Sequence, residues 1–409
     1  MMRDRSLLPL LAAVLLSCAL PAGGQSTLPE GPGKEIVQTA CTQCHAIDNV
    51  TRSGDTRVGW QNTVAMMRNA GARVPDEQVA SLIDYLAQNF PQRPAPPAVL
   101  IPGGVGVTIR EWAVPTPGSR PHDPLAAADG SIWYTGHMAN VLGRLDPKTG
   151  KFTEYHPPVA GSGPHGLVAD RDGHIWFTAN FKAYIGELDP KTGTFRAFPL
   201  DPAARDPHTP LFDQHGTLWF TVQGADMVGR LVPQTGAVKL VTVPTPRANP
   251  YGMVITSAGI PYFAEFGANK IASIDPVSMA IHEYPLPNLE ARPRRIAITP
   301  DDVIYYSDYA RGYLGRFDPK TGSVTEWPSP GGPRSRPYGI AFLKGAIWYS
   351  ESGVRPNTLV RFDPATQGFA SWPIPSGGGV VRNMMPTHDG SGLVMACSGV
   401  NRVALVEVK

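Results

Sequence analysis

From about residue 120 onward the chain repeats one pattern of apolar and polar positions. A short apolar segment opens behind a Pro and a polar residue, as in "PHGLVAD", and runs into a turn whose clearest forms are Asp129-Gly130, Asp172-Gly173 and Asp389-Gly390. An aromatic segment follows: "SIWYT", "HIWFT", "TLWFT", "IPYFA", "VIYYS", "AIWYS". A third segment such as "YIGELD" closes in a "DPKTG" turn, at Asp146, Asp189, Asp318 and, altered, at Asp275 and Asp363; a fourth such as "FRAFPL" completes the unit. Short runs of Trp, Tyr, Phe and Val bounded by Gly and Pro read as strands, and Asp-Gly is a hairpin dipeptide. The polar position recurs at His122, His165, His208, Tyr251, Arg294, Tyr338 and Arg382, in steps of 43 or 44 residues. Four strands in such a step make a propeller blade, and seven copies make a ring. The seventh copy stops after three strands, while "TIREWAVP" stands alone ahead of the first. Thr108 to Pro115 is therefore expected to pair with Val403 to Val408 and close the ring, leaving few exposed edges. A helical solenoid of similar period would need a helical apolar stripe, and these segments carry none.

Ahead of the repeats the period changes. Val79, Leu82, Ile83, Leu86 and Phe90 fall on one helical face, with Pro75 expected at the first helical position. Ile36, Val37 and Ala40 belong to a short helix that runs into "CTQCH". In Cys41-Thr42-Gln43-Cys44-His45 two thiols are spaced to add to the vinyl groups of haem, and the His that follows places an imidazole under the iron. A zinc site would need a second Cys or His pair nearby, and the segment has none. Residues 25–90 resemble a small class I cytochrome c. That resemblance implies one haem c held covalently by Cys41 and Cys44, with His45 and Met67 on the iron; Met66 is the alternative ligand, and the Gly71-Ala72 pair downstream favours Met67. Residues 91–104, "PQRPAPPAVLIPGG", read as a proline-rich, semi-extended tether.

Length and composition fit this division. A chain of 409 residues has room for a large domain and a small one, and Gly 43 with Pro 43 suits many strands joined by tight turns. Lys+Arg 36 against Asp+Glu 34, with no long basic run, excludes nucleic acid as an expected partner. Residues 1–24 read as a signal peptide: Arg3 and Arg5, an apolar run too short to span a bilayer, then small residues. Leu15-Leu16-Ser17-Cys18 also resembles a lipobox, which would leave a lipid anchor on Cys18. Cys397 is expected to be an inert strand residue. The expected location is the periplasm, with a periplasmic electron donor or acceptor as partner.

Over residues 105–409 the unit "PHGL..D.DG.IWFT......IG.LDPKTG.F..FPL" resembles the streptogramin lyases, of which virginiamycin B lyase is the named type. The resemblance implies a mainly β, seven-bladed propeller. It also implies Mg2+-dependent elimination by a His base in a late blade, within a Glu-x-His arrangement. Here Tyr251, Arg294 and Tyr338 stand where that His would be, and Asn249, Arg292 and Arg336 where the Glu would be. The remaining candidates come from the repeat. His122, His165 and His208 should ring the channel mouth as bases or metal ligands. Glu265, Asp308 and Glu351, ending the second strands of blades four to six, should form a second ring able to hold a divalent ion such as Mg2+. Gly136, Ala179 and Val222, at the same position in blades one to three, should leave room beside the imidazoles. In the competing reading Arg294 neutralises Asp308 and Glu265, and the His residues cap strands. The expected function is an exported c-type cytochrome whose propeller binds or oxidises a small molecule in its channel. The alternatives are lyase-type elimination and a docking platform, the last favoured if Arg294, Arg295 and Arg382 plug the channel.

Overall fold

The structure, a computed structural model, describes residues 28–409; the expected signal peptide and Cys18 lie outside the described residues. Seven four-stranded antiparallel sheets form the ring. Blade one runs from the inner strand Pro121–Ala126 through Ile132–Gly136 and Val141–Asp146 to Lys151–Tyr155, and the next five repeat that order. In the seventh sheet the outermost strand is Val107–Ala113, paired antiparallel with Arg402–Val408 so that Trp112 faces Val403. The two ends of the propeller segment thus share a blade.

The aromatic second strands pack between neighbouring blades. Trp133, Trp176, Trp219 and Trp348 are fully buried, as are Tyr134, Tyr306 and Tyr349. In five of the seven blades a hydroxyl near the end of the aromatic segment joins the blade to the next; blades four and seven have Ala264 and Ala396 there. Thr178 Oγ1 accepts from the Gly166 amide (2.8 Å) in its own blade and donates to the His208 carbonyl (2.7 Å) in the following one. Thr135, Thr221 and Ser307 make the same pair of bonds toward His165, Tyr251 and Tyr338. Thr178→Val keeps the shape but strands a buried N–H and a buried C=O, so it should cost about 2–3 kcal/mol. Urea unfolding of the variant measures that loss.

In front of the ring four helices, α1 (Lys34–Ala40), α2 (Asp48–Thr51), α3 (Arg57–Asn69) and α4 (Asp76–Asn89), form a small unit. Thr56 caps α3, its side chain accepting from the Gly59 amide at 3.1 Å. Pro75 precedes α4 as its cap, one position earlier than expected, with Asp76 and Glu77 in the first turn against the positive end of the helix dipole. Leu82, Ile83 and Leu86 are buried with Val37, Trp60 and Val64; Tyr85 joins them by donating its hydroxyl to the Pro29 carbonyl at 2.6 Å.

The proline-rich segment is no free tether. Pro97 bridges to Arg355, the Ala98 amide donates to the Arg355 carbonyl (3.0 Å), and Ser371 Oγ bonds the backbone of Val99 and Ile101. It lies along blade six. The helical unit is seated on the propeller as well. Gly118, at φ +66°, passes so close to α3 that a Cβ there would overlap the Met66 backbone, and Asn69 donates to the Pro117 carbonyl at 2.9 Å.

Candidate functional site

Each inner strand carries a β-bulge just after its first residue; in blade one, Pro121 pairs with Gly136 but Pro124 with Tyr134. The same shift recurs in the other six blades. A bulge re-aims side chains, so two successive residues per blade serve the channel rather than one. The first of them gathers at one mouth. His122 and His165 lie with ring centroids 3.6 Å apart, His165 and His208 3.9 Å, His208 and Tyr251 3.9 Å. Tyr251 and Tyr338 share a hydrogen bond between hydroxyls at 2.5 Å, and Arg294 stands over the Tyr338 ring at 3.9 Å. His137, just past the second strand of blade one, packs against both His122 and His165. The structure thus brings the three predicted imidazoles into one buried stack. Burial, reinforced by neighbouring imidazoles and by Arg295 and Arg382, holds His122, His165 and His208 well below the usual imidazole range, and His137 is pushed down to about 3. All four are neutral at physiological pH.

At the second bulge position Asp123, Thr209 and Asn383 were not anticipated from the sequence, whereas Arg295 was expected only as one of three arginines that could plug the channel. Arg295 reaches across the channel to Asp123 (Nη2 to Oδ1, 2.6 Å) and to Thr209 Oγ1 (3.3 Å), and Asp123 also bonds His122 Nδ1 (2.9 Å). Both partners are at most 4 % exposed. His122, Asp123 and His165 place ligand atoms within 4.8 Å of one another, but the guanidinium already takes the place a cation would fill. Beyond this crossbar lies a cavity of about 490 Å³, lined by Asp123, Thr209, Arg295 and Asn383 together with Leu167, Met253 and Ile340. In blades two, four and six Gly166, Gly252 and Gly339 hold the second position, where a Cβ would crowd the inner strand of the next blade. A polar residue in the alternate blades, Asp123, Thr209, Arg295 and Asn383, was the available signal.

The second carboxylate ring does not form. Asp308 accepts from Arg311 Nε at 2.6 Å and from the Arg292 amide. Glu351 is tied to Ser329, to the Gly331 amide and to Thr358. Glu265 lies beside the Lys270–Glu283 pair of its own blade, and its burial and the nearby Glu283 push its carboxyl up to about 8. Each side chain turns into its blade, so the expectation of one Mg2+ site on Glu265, Asp308 and Glu351 is corrected. Gly136, Ala179 and Val222 leave no room beside the imidazoles either: Ala179 and Val222 are core, and a Cβ on Gly136 would meet Ser119 and Val141. Arg294 neutralises neither Asp308 nor Glu265; it sits in a cage of Tyr251, Phe266, Tyr309 and Tyr338.

The helical unit encloses a second cavity, of about 450 Å³. Cys41, Cys44, His45 and Met67 all line it, among Ala40, Val50, Trp60, Val64, Leu82 and Leu86. His45 Nδ1 lies 3.2 Å from the Ala46 carbonyl. Met66 does not line this cavity. It lines a third, of about 230 Å³, at the joint with the propeller, beside Asp55, Thr63, Arg120 and Arg382. Thr63 belongs to both walls. Cys397 is buried inside its strand in blade seven.

Fold and mouth together define a closed seven-bladed propeller whose channel is crossed by a buried ion pair. Residues 103–390 match the model of the virginiamycin B lyase family, and the chain belongs to that family. No curated protein matches the sequence. Among solved structures, a streptogramin B lyase is similar at 25% identity and a TM-score of 0.68, covering 74% of this chain and 98% of that one. Virginiamycin B lyase from Staphylococcus aureus is similar at 24% identity and 0.67, covering 74% and 99%. Kuenenia stuttgartiensis hydrazine synthase, at 13% identity and 0.60, covering 71% and 96%, shares the fold.

Proposed function

We propose that this protein is an exported electron-transfer protein: a haem c unit seated over the mouth of a lyase-family propeller, with the mouth binding a small molecule that exchanges electrons with the haem. The observation that carries the reading is the apolar cavity in which Cys41, Cys44, His45 and Met67 meet. The residues fit the group. One thiol comes from the short turn Cys41–Gln43, the second thiol and the imidazole from the two residues after it, and a thioether from α3; the rest of the wall is mostly apolar, so a chain this short would use the porphyrin as part of its core. The Ala46 carbonyl beside Nδ1 leaves the other nitrogen of His45 free to ligate. When bound, haem supplies a one-electron couple whose potential Met/His ligation raises. The chain supplies the clamp, the dry surroundings and the shared wall at Thr63 that places the propeller mouth next door.

Elimination of the lyase type has less support. Tyr251, Arg294 and Tyr338, where the resemblance would put the base, are engaged in a hydroxyl pair and a cationic cage, and the carboxylates for a divalent ion point into separate blades.

Protein matured in an exporting host should carry covalently bound haem, seen as a denaturation-resistant mass increment and a c-type absorption spectrum. Cys41→Ala/Cys44→Ala should lose both. Met67→Ala should lower the reduction potential and alter the ferric spectrum, whereas Met66→Ala should leave the spectrum unchanged. A spectrum that responds to Met66 and ignores Met67 would reverse the ligand assignment, and a Cys-independent pigment would sink the clamp.

A further inference from the structure

We propose that the joint between the helical unit and the propeller mouth is a binding site for a small organic anion, a carboxylate held by the guanidiniums of Arg120 and Arg382 with Arg294 close behind. The inference deepens the reading of the mouth as a ligand site, on which it rests; it does not depend on haem.

Several partly buried arginines of the propeller have a carboxylate: Arg295 has Asp123, Arg311 has Asp308 and Glu326, Arg316 has Asp318, Arg361 has Asp363. Among the described residues Arg120, Arg294 and Arg382 make no ion pair. Nε of both Arg294 and Arg382 is buried without a hydrogen-bond partner. The three charges act on one another: burial and the nearby Arg382 and Arg294 push Arg120 down to about 10. Arg294 is met by its aromatic cage, and the carboxylate that acts on Arg382, Asp123, is already held by Arg295. Arg120 and Arg382 are left as neighbouring, partly buried like charges without an ion pair, a costly arrangement that an anion relieves.

Arg120 stands directly ahead of its inner strand at φ +55°, a backbone shared at that position by Gly163, Asp206, Asn249 and Arg336 in blades two, three, four and six. What is particular to Arg120 is that its guanidinium lines the joint beside Arg382. Two carboxylates stand nearby. Asp123 is taken by Arg295 and His122, and Asp55 accepts from the Thr56 amide at 2.7 Å.

Size and shape set the ligand class. About 230 Å³ is below the roughly 300–1,000 Å³ of pockets for drug-sized molecules, so a macrocyclic antibiotic does not fit while a compact acid does. The planar donor fork of a guanidinium matches two carboxylate oxygens.

The test is a calorimetric titration of the full-length matured protein with malonate, with inorganic phosphate and with sodium chloride at matched ionic strength. Malonate is a redox-inert probe, so this result stands or falls apart from the electron-transfer reading. Saturable malonate binding is expected, weaker binding of phosphate, and no chloride response beyond screening. Arg382→Gln and Arg120→Gly should each weaken malonate binding about tenfold or more. Both should also melt higher than the parent in malonate-free buffer, since each removes a repelled charge. That opposite sign separates loss of the site from misfolding. Absence of malonate binding, tighter binding of phosphate, or binding that survives both substitutions would overturn the assignment.

Discussion

Replacing Arg295 by Met should destabilise the propeller by about 3–5 kcal/mol, the cost of leaving a buried carboxylate without its cation. Asp123 is 2 % exposed, and its partners are Arg295 at 2.6 Å and His122. Asp123→Leu alone should cost a similar amount, since Arg295 would then face Arg382 and Arg294 with no anion. The double variant should recover most of the loss, keeping a residue of about 1 kcal/mol for the bond His122 gives up. A double-mutant cycle in urea measures this, and purely additive single losses would show that the crossbar is not a coupled pair. With Arg295 across the channel, the crossbar stands between the mouth that holds the His stack and the cavity beyond.

The blades were legible in the sequence because their period is carried by residues with one physical job each: a Pro and a polar residue at the channel, a Trp, Tyr or Phe between sheets, an Asp and a Gly in the turns. The mouth was half legible. Counting from the Pro found His122, His165 and His208, because every blade shares the same backbone there. The count failed at Glu265, Asp308 and Glu351, since alternation along a strand cannot show which face meets the channel once the partner strand is bulged. Arg295 and Asp123 lie 172 residues apart and obey no local rule, so only the closed ring brings them together. His137 escaped for a different reason: it stands one residue past its strand, and Asn180 and Phe266 at the same place share no chemistry with it. The hydroxyls Thr135, Thr178, Thr221 and Ser307 were in plain view in the aromatic motifs, and their role as ties between blades needed the next blade's carbonyl beside them.

Lowering the pH from 6.5 to 5 should unfold this propeller more readily than its balanced charge implies. His122, His165, His208 and His137 are neutral when folded and stay so far below 6.5. In the unfolded chain each takes up a proton near 6.5, so stability is present above that pH and is lost below it, at about 1.4 kcal/mol per pH unit for each imidazole. Buried acids work the other way: burial raises Asp123 and Glu187, and it raises Glu265 and Asp206 furthest. Glu265, pushed up to about 8, and Asp206, pushed up by burial to about 7, keep protons in the folded state that the unfolded chain releases above its ordinary carboxylate range. They add stability on the acid side and lose it as pH rises toward 8. The sum is a maximum near pH 6.5, a shallow decline toward 8, and a fall of about 3 kcal/mol per pH unit near pH 5. Urea midpoints measured every half unit from 5 to 8 give this curve. His137→Phe, placed beside Phe181 at a site 6 % exposed, should flatten the acid limb by about 1.4 kcal/mol per pH unit whatever it does to stability at pH 7. An acid limb of unchanged slope in that variant would mean that His137 takes up its proton while folded, and a parent whose stability is level between 6.5 and 5 would mean that the whole stack does.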